Sequence, residues 1–189
     1  MTPQAAASLS EQAGPDRAIV LAATAIAAIG AAALCGAWYF QYVVGLAPCP
    51  LCLQQRIPYY IVIPLAALIA VGARSGVSRR VLMAGLWLTA LVLLVGVGLA
   101  TYHAGVEWKW WAGPQDCAGA GAPFTPGTAG NLLNRMQTAQ VVRCDEAPWR
   151  WLGLSLAGWN ALISFGLAAL ALMPLLVGRR PYGSSSLSQ

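Results

Sequence analysis

Residues 81–102 read VLMAGLWLTALVLLVGVGLATY, a run with no charged side chain from end to end. A helix needs about 20 mostly apolar residues to cross a bilayer's hydrocarbon core, so this stretch by itself predicts a membrane span. Working outward, three more runs of the same kind predict spans over 18–42, 57–73 and 151–177. The composition agrees: 58% of the 189 residues are hydrophobic and 9% are charged, against roughly 25% charged in a soluble domain. The expected fold is an all-α membrane protein: a four-transmembrane-helix bundle, one domain over residues 1–189, with two outer loops of which the second is long.

Cations fix the orientation. Arg17, the Arg74/Arg79/Arg80 cluster and Arg179/Arg180 all flank span ends on one side, and positive residues favour the cytoplasmic side. Both tails, 1–17 and 178–189, are therefore expected in the cytoplasm, with the first sixteen residues forming a loose tail. The 41–56 and 104–150 connections are expected outside, which in a Gram-negative bacterium is the periplasm. The net charge of +5 is spread thinly between apolar runs, which excludes a nucleic-acid partner and leaves the lipid bilayer as the surroundings. The first run is too long for a signal peptide and ends in Trp38, Tyr39, Phe40 and Tyr42, an interfacial aromatic cluster. Cys35, preceded by Leu34 where a lipoprotein site wants a small residue, reads as a buried apolar thiol. In the long loop, Asn131–Met136 is expected to form a short interfacial helix or a locally collapsed loop.

The other four cysteines all fall in the two outer segments, the side on which oxidising chemistry occurs. Cys49 and Cys52 form a C-x-x-C immediately before the second span, with Pro48 and Pro50 on either side of Cys49. At a helix start the dipole stabilises thiolate and speeds exchange, and the prolines shape the turn. Cys117 and Cys144 lie within one loop with 26 residues between them. A loop-closing disulfide that exchanges with the first pair is the economical reading. A four-cysteine zinc site has the right ligand number but lacks a second C-x-x-C, so no metal is expected. Purely structural disulfides are the third possibility.

Arg56 follows Cys52 by four residues, one helical turn on, which puts both on one face. A cation at the edge of an apolar run either snorkels to the surface or has a job. Here the job would be to stabilise the Cys52 thiolate and to hydrogen-bond a carbonyl oxygen of a bound electron acceptor. His103, the single histidine, ends the third span. It is either a polar terminus or the relay for the two protons that quinone reduction consumes. Glu107 would assist it or stay solvated.

These residues together resemble the bacterial disulfide bond formation protein B (DsbB) family. The resemblance spans nearly the whole chain and rests on four motifs: Cys49-Pro50-Leu51-Cys52-Leu53-Gln54-Gln55-Arg56; Tyr102-His103-Ala104-Gly105-Val106-Glu107-Trp108; Trp111-Ala112-Gly113-Pro114-Gln115-Asp116-Cys117; and Cys144-Asp145-Glu146-Ala147-Pro148-Trp149, leading to Leu152-Gly153-Leu154-Ser155. It implies a protein-disulfide oxidoreductase with ubiquinone or menaquinone as acceptor and a DsbA-like periplasmic thiol oxidase as partner. It also implies a route: the reduced partner attacks Cys117 of a Cys117–Cys144 disulfide, Cys144 then attacks Cys49, and Cys52 becomes the thiolate beside the quinone, bound near Arg56 and His103. Two departures stand out. The interval from Cys117 to Cys144 is rich in Gly and Ala, and Leu154-Ser155-Leu156 offers no polar quinone ligand. Vitamin K epoxide reductase, another four-helix thiol–quinone family, matches poorly because its C-x-x-C lies near the end of the bundle.

Overall fold

The structure, a computed structural model, describes residues 3–114 and 143–177. In chain order its elements are α1 (Pro3–Tyr42), a short α2 (Pro50–Gln54), α3 (Ile57–Arg74), α4 (Arg79–Glu107), β1 (Arg150–Trp151), β2 (Leu154–Ser155) and α5 (Leu156–Val177). Four segments are long and apolar enough to cross a membrane: Arg17–Tyr42, Pro50–Arg74, Arg79–Glu107 and Leu156–Pro174. The protein is a four-helix, multi-pass membrane protein.

The helices close a ring in which α1 packs on α3, α3 on α4, α4 on α5 and α5 back on α1. Small residues line the seams: Ala66, Ala90, Ala168 and Ala171 are buried with Ile26, Val62, Leu93 and Leu167. In lipid, helices associate through close packing rather than hydrophobic exclusion, which is why short side chains collect there. The ring's outer face carries Leu68, Val95 and Phe165, each 60% or more exposed, as a lipid-facing surface requires.

Each connection follows from local chemistry. The α3–α4 turn is closed by Gly76 at φ +78 and by a hydrogen bond from Val77 N to Gly72 O, the left-handed cap that glycine forms without steric cost. Between α2 and α3 the helix is broken at Gln55 and Arg56. Pro58 lacks an amide hydrogen and its ring would crowd the Gln54 carbonyl. The chain bridges this point with the shorter Arg56 N to Leu53 O bond. The break turns Gln55 inward until it is 6% exposed.

Four expectations are corrected. The stretch before Arg17 is not loose: α1 is helical from Pro3, favoured by Ala5, Ala6 and Ala7. Helix α4 continues past Tyr102 to Glu107, burying His103 through Glu107. The fourth span begins at Leu156 rather than 151, because Leu152 (φ 51) and Gly153 (φ 81) make a two-residue turn pairing Arg150 with Ser155 and Trp151 with Leu154. Cys35 is exposed on α1, next to buried Leu34. One residue along a helix turns the side chain about 100°, here from the core to the outer face. The expected loop helix at 131–136, like Cys117, lies outside the described residues.

Candidate functional site

Cys49 caps α2. Its backbone is extended (φ −74, ψ 165), Pro50 opens the helix, and its sulfur accepts a hydrogen bond from the Cys52 amide at 3.2 Å. A sulfur here takes the place of the oxygen that usually caps a helix start, at the positive end of the peptide dipoles. Cys52, one turn on, brings its own sulfur to 2.9 Å from that of Cys49, and both are free thiols. His103 Nε2 reaches Cys49 Sγ at 3.7 Å from α4.

These contacts divide the labour within the pair. Hydrogen bonding with the Cys52 thiol, opposed by burial and helped by His103 and the Cys52 amide, holds the Cys49 thiol below the ordinary thiol range. In the dithiol state Cys49 is therefore the sulfur that carries thiolate character. The Cys52 thiolate expected from the sequence belongs to a different state, in which Cys49 is joined to Cys144, so this preference does not bear on it. Arg56 instead donates to Gln41 Oε1 (2.6 Å) and to the Ala37 carbonyl (3.4 Å) of α1, tying α1 to the break before α3.

His103 is not a wetted helix end: it is 3% exposed, and Glu107, one turn on, is 5% exposed. Glu107 Oε1 lies 3.8 Å from His103 Nε2, and Oε2 has no hydrogen-bond partner among the described residues. Ser155, buried, hydrogen-bonds Glu107 and accepts from Gly158 N at 3.2 Å. It therefore caps α5 instead of facing a ligand. Over this corner lies Trp111, whose Nε1 donates to the Tyr102 carbonyl at 3.0 Å and whose ring stacks on Tyr102. A Cβ on Gly105 would collide with that ring, so only glycine fits beneath it.

A cavity of about 290 Å³ opens beside the pair, and its walls include Cys52, Arg56 and His103 together with Leu34, Ala37, Phe40, Gln41, Gln55, Tyr59, Leu156 and Asn160. The walls are mostly apolar, with a guanidinium, an imidazole and amides at a few points. That lining suits a flat ring with two carbonyls. Sequence reasoning missed Gln41, Gln55, Tyr59 and Asn160. Asn160 had a readable signal, since a polar residue within an apolar span is costly unless it serves a purpose.

Cys144 is disulfide-bonded and 1% exposed, and it packs in one cluster with Cys49, Leu51 and Val106, with Cys52 against it. Cys144 thus adjoins the C-x-x-C. A four-cysteine zinc site would need Cys144 as a thiolate, whereas here it is disulfide-bonded. Among the described residues, one possible donor set is Cys49, Cys52 and His103, whose ligating atoms lie within 4.8 Å of one another.

The sequence matches the family described as disulfide bond formation protein DsbB over residues 18–174. Similar proteins include disulfide bond formation protein B of a Polaromonas species, 30% identical over 88% of this chain and 95% of that protein. The same protein of Verminephrobacter eiseniae is 36% identical over 86% of each. That of an Acidovorax species is 32% identical over 86% of this chain and 88% of that protein.

Proposed function

This chain belongs to the disulfide bond formation protein DsbB family, and from that premise we propose that it is a quinone-dependent oxidase of a DsbA-like periplasmic thiol protein. It sits in the bacterial inner membrane with both termini cytoplasmic. The observation that carries the reading is the burial of disulfide-bonded Cys144 against Cys49, while Cys52 faces the cavity that Arg56 and His103 also line. Electrons enter at the Cys117–Cys144 pair, cross at the Cys144–Cys49 contact and leave from Cys52.

A quinone, when bound, supplies a sink for two electrons and two protons. The chain's own residues do the rest. Cys49, packed against Cys144, is the sulfur that Cys144 attacks, forming the Cys144–Cys49 bond while the Cys49–Cys52 bond breaks and Cys52 leaves as the thiolate. Arg56, braced by Gln41 and Ala37, presents a fixed cation in the cavity wall. Phe40, Leu34 and Leu156 keep water from the sulfurs. His103 holds a proton beside Cys49.

Full-length protein in lipid nanodiscs, given a reduced DsbA-like protein and ubiquinone or menaquinone, is expected to bleach the quinone's ultraviolet band as partner thiols are lost. Cys52→Ser should abolish the bleaching while the thiol partner still forms a mixed disulfide with the loop. Turnover at the parent rate by both Cys49→Ser and Cys52→Ser would sink the reading. Stoichiometric zinc with no thiol consumption would favour the metal-site alternative.

A further inference from the structure

A line of polar side chains, buried except for half-buried Asn160, runs from the bundle interior to the dithiol. The Tyr59 hydroxyl donates to Asn160 Oδ1 (2.6 Å), and Asn160 Nδ2 donates to Gln55 Oε1 (2.7 Å). Gln55 Nε2 then meets His103 Nδ1 at 2.6 Å. Ser164 Oγ lies 3.0 Å from the Tyr59 hydroxyl. Because that hydroxyl gives its hydrogen to Asn160, Ser164 donates to it.

The polarity follows from the inventory of donors. With its oxygen engaged by Asn160, the Gln55 amide turns its NH2 to the imidazole, so Nδ1 must accept. A second observation agrees. The acceptors around the ring, Cys49 Sγ at 3.7 Å and Glu107 Oε1 at 3.8 Å, both lie on the Nε2 side. We propose that Gln55 and Asn160 are positioning residues: through the Ser164–Tyr59–Asn160–Gln55 chain they lock neutral His103 with its proton on Nε2. The imidazole then always presents Cys49 with a donor and never with a lone pair.

The other groups facing this corner are Cys52 from α2, Arg56 in the same cavity wall and Arg150, which acts on Glu107 from β1. None of them touches Nδ1 among the hydrogen bonds of the described residues, so the tautomer is left to the amide chain. Such a chain costs least in the bundle interior when every member is satisfied. Its donors and acceptors, drawn from the α2–α3 break, α3, α4 and α5, meet that condition. The purpose of the lock rests on reading Cys49–Cys52 as the redox pair. Its existence does not, and the test below needs neither an electron acceptor nor a thiol partner.

His103 is the chain's sole histidine, so 15N-histidine labelling of full-length, reduced protein in nanodiscs gives a single imidazole, whose two nitrogens are told apart because Nε2 couples to both ring C–H protons and Nδ1 chiefly to Hε1. The parent at neutral pH should show a protonated, pyrrole-type Nε2 and a bare, pyridine-type Nδ1. Gln55→Glu, whose ionised side chain offers only acceptors, should invert the two signals. Asn160→Leu, which frees the Gln55 amide to turn over, should give a mixture of both forms. It also serves as an independent arm if the Gln55 variant fails to fold. A parent with the proton on Nδ1, or signals unchanged in whichever variants fold, overturns the proposal. Loss of quinone reduction in the parent would overturn the proposed function and leave these signals as they are.

Discussion

Where α3 turns into α4, the bundle is closed by Ile19, Ala23, Ile69, Ala70, Leu82 and Leu86, aliphatic side chains only. At the opposite end the same helices enclose Gln55, His103, Glu107 and Asn160 beside two free thiols. The dry end needs no polar group because packing alone holds helices together in lipid. At the wet end each buried polar group raises the cost of assembly unless it is bonded, and among the described residues Glu107 Oε2 has no hydrogen-bond partner. The contrast teaches where this molecule spends stability on chemistry. The backbone shows the same division, with a glycine-capped turn at one end and a proline-broken helix, a capping cysteine and a strained hairpin at the other.

The largest expected effect comes from breaking the wet end at its tightest point. Gly105→Ala puts a methyl group where the Trp111 ring lies, so the indole must leave its stack on Tyr102 and the two turns carrying His103 and Glu107 must shift. Displacement of reacting groups by about 1 Å can cost about a hundredfold in rate. Quinone reduction by Gly105→Ala should fall by about that factor, while the far-ultraviolet circular dichroism stays helical. Parent-like turnover would mean that the corner tolerates movement and that the two ends differ little in how tightly they are built.

Much of this contrast was legible in the sequence, and its limits have physical causes. The spans announced themselves because uncharged runs such as 81–102 have no soluble alternative. The C-x-x-C before a helix, and an arginine and histidine at span ends, pointed to redox chemistry through residue type. The hydrogen bond from the Cys52 amide to the Cys49 sulfur was not legible, because it depends on the capping geometry of Cys49 and not on spacing. The hairpin was hidden because Trp151-Leu152-Gly153-Leu154 reads as apolar, and a leucine at positive φ is a rare way to turn. Gln55 was overlooked since an unbroken helix from Cys52 would not turn it inward as the Pro58 break does. Asn160 and Ser164, polar and one turn apart within the last span, were the readable hint.

The dry end makes the converse prediction. Leu86 is fully buried there, and Leu86→Ala removes packing without touching the site. Core Leu→Ala changes in soluble proteins cost about 2–5 kcal/mol. In lipid the lost side chain forfeits contacts but not an apolar surrounding, so about 1–3 kcal/mol is expected. Unfolding by sodium dodecyl sulfate should shift accordingly, and turnover per folded molecule should match the parent. A drop in turnover with no loss of stability would show that the ends are mechanically coupled.

The smallest effect belongs to the rim of the wet end, where a charge pair faces water. Arg143 donates to Asp145 from Nε (3.0 Å) and Nη2 (2.9 Å). Hydrogen bonding and charge from Arg143 hold the Asp145 carboxyl below the usual carboxylate range. The sign follows from that direction. A carboxyl whose pKa is lowered by folding adds stability above its unfolded pKa and loses it as pH falls through the folded one. Both groups are exposed, and water screens such pairs almost completely. Arg143→Ala should therefore leave the unfolding transition at neutral pH unmoved, while carbon NMR of the carboxyl, assigned by Asp145→Asn, shows Asp145 titrating back in the ordinary range. A measurable loss of stability at neutral pH, vanishing in acid, would mean that the rim is ordered against the disulfide-bonded Cys144 beside it, so that charge does structural work at this end even where water reaches it.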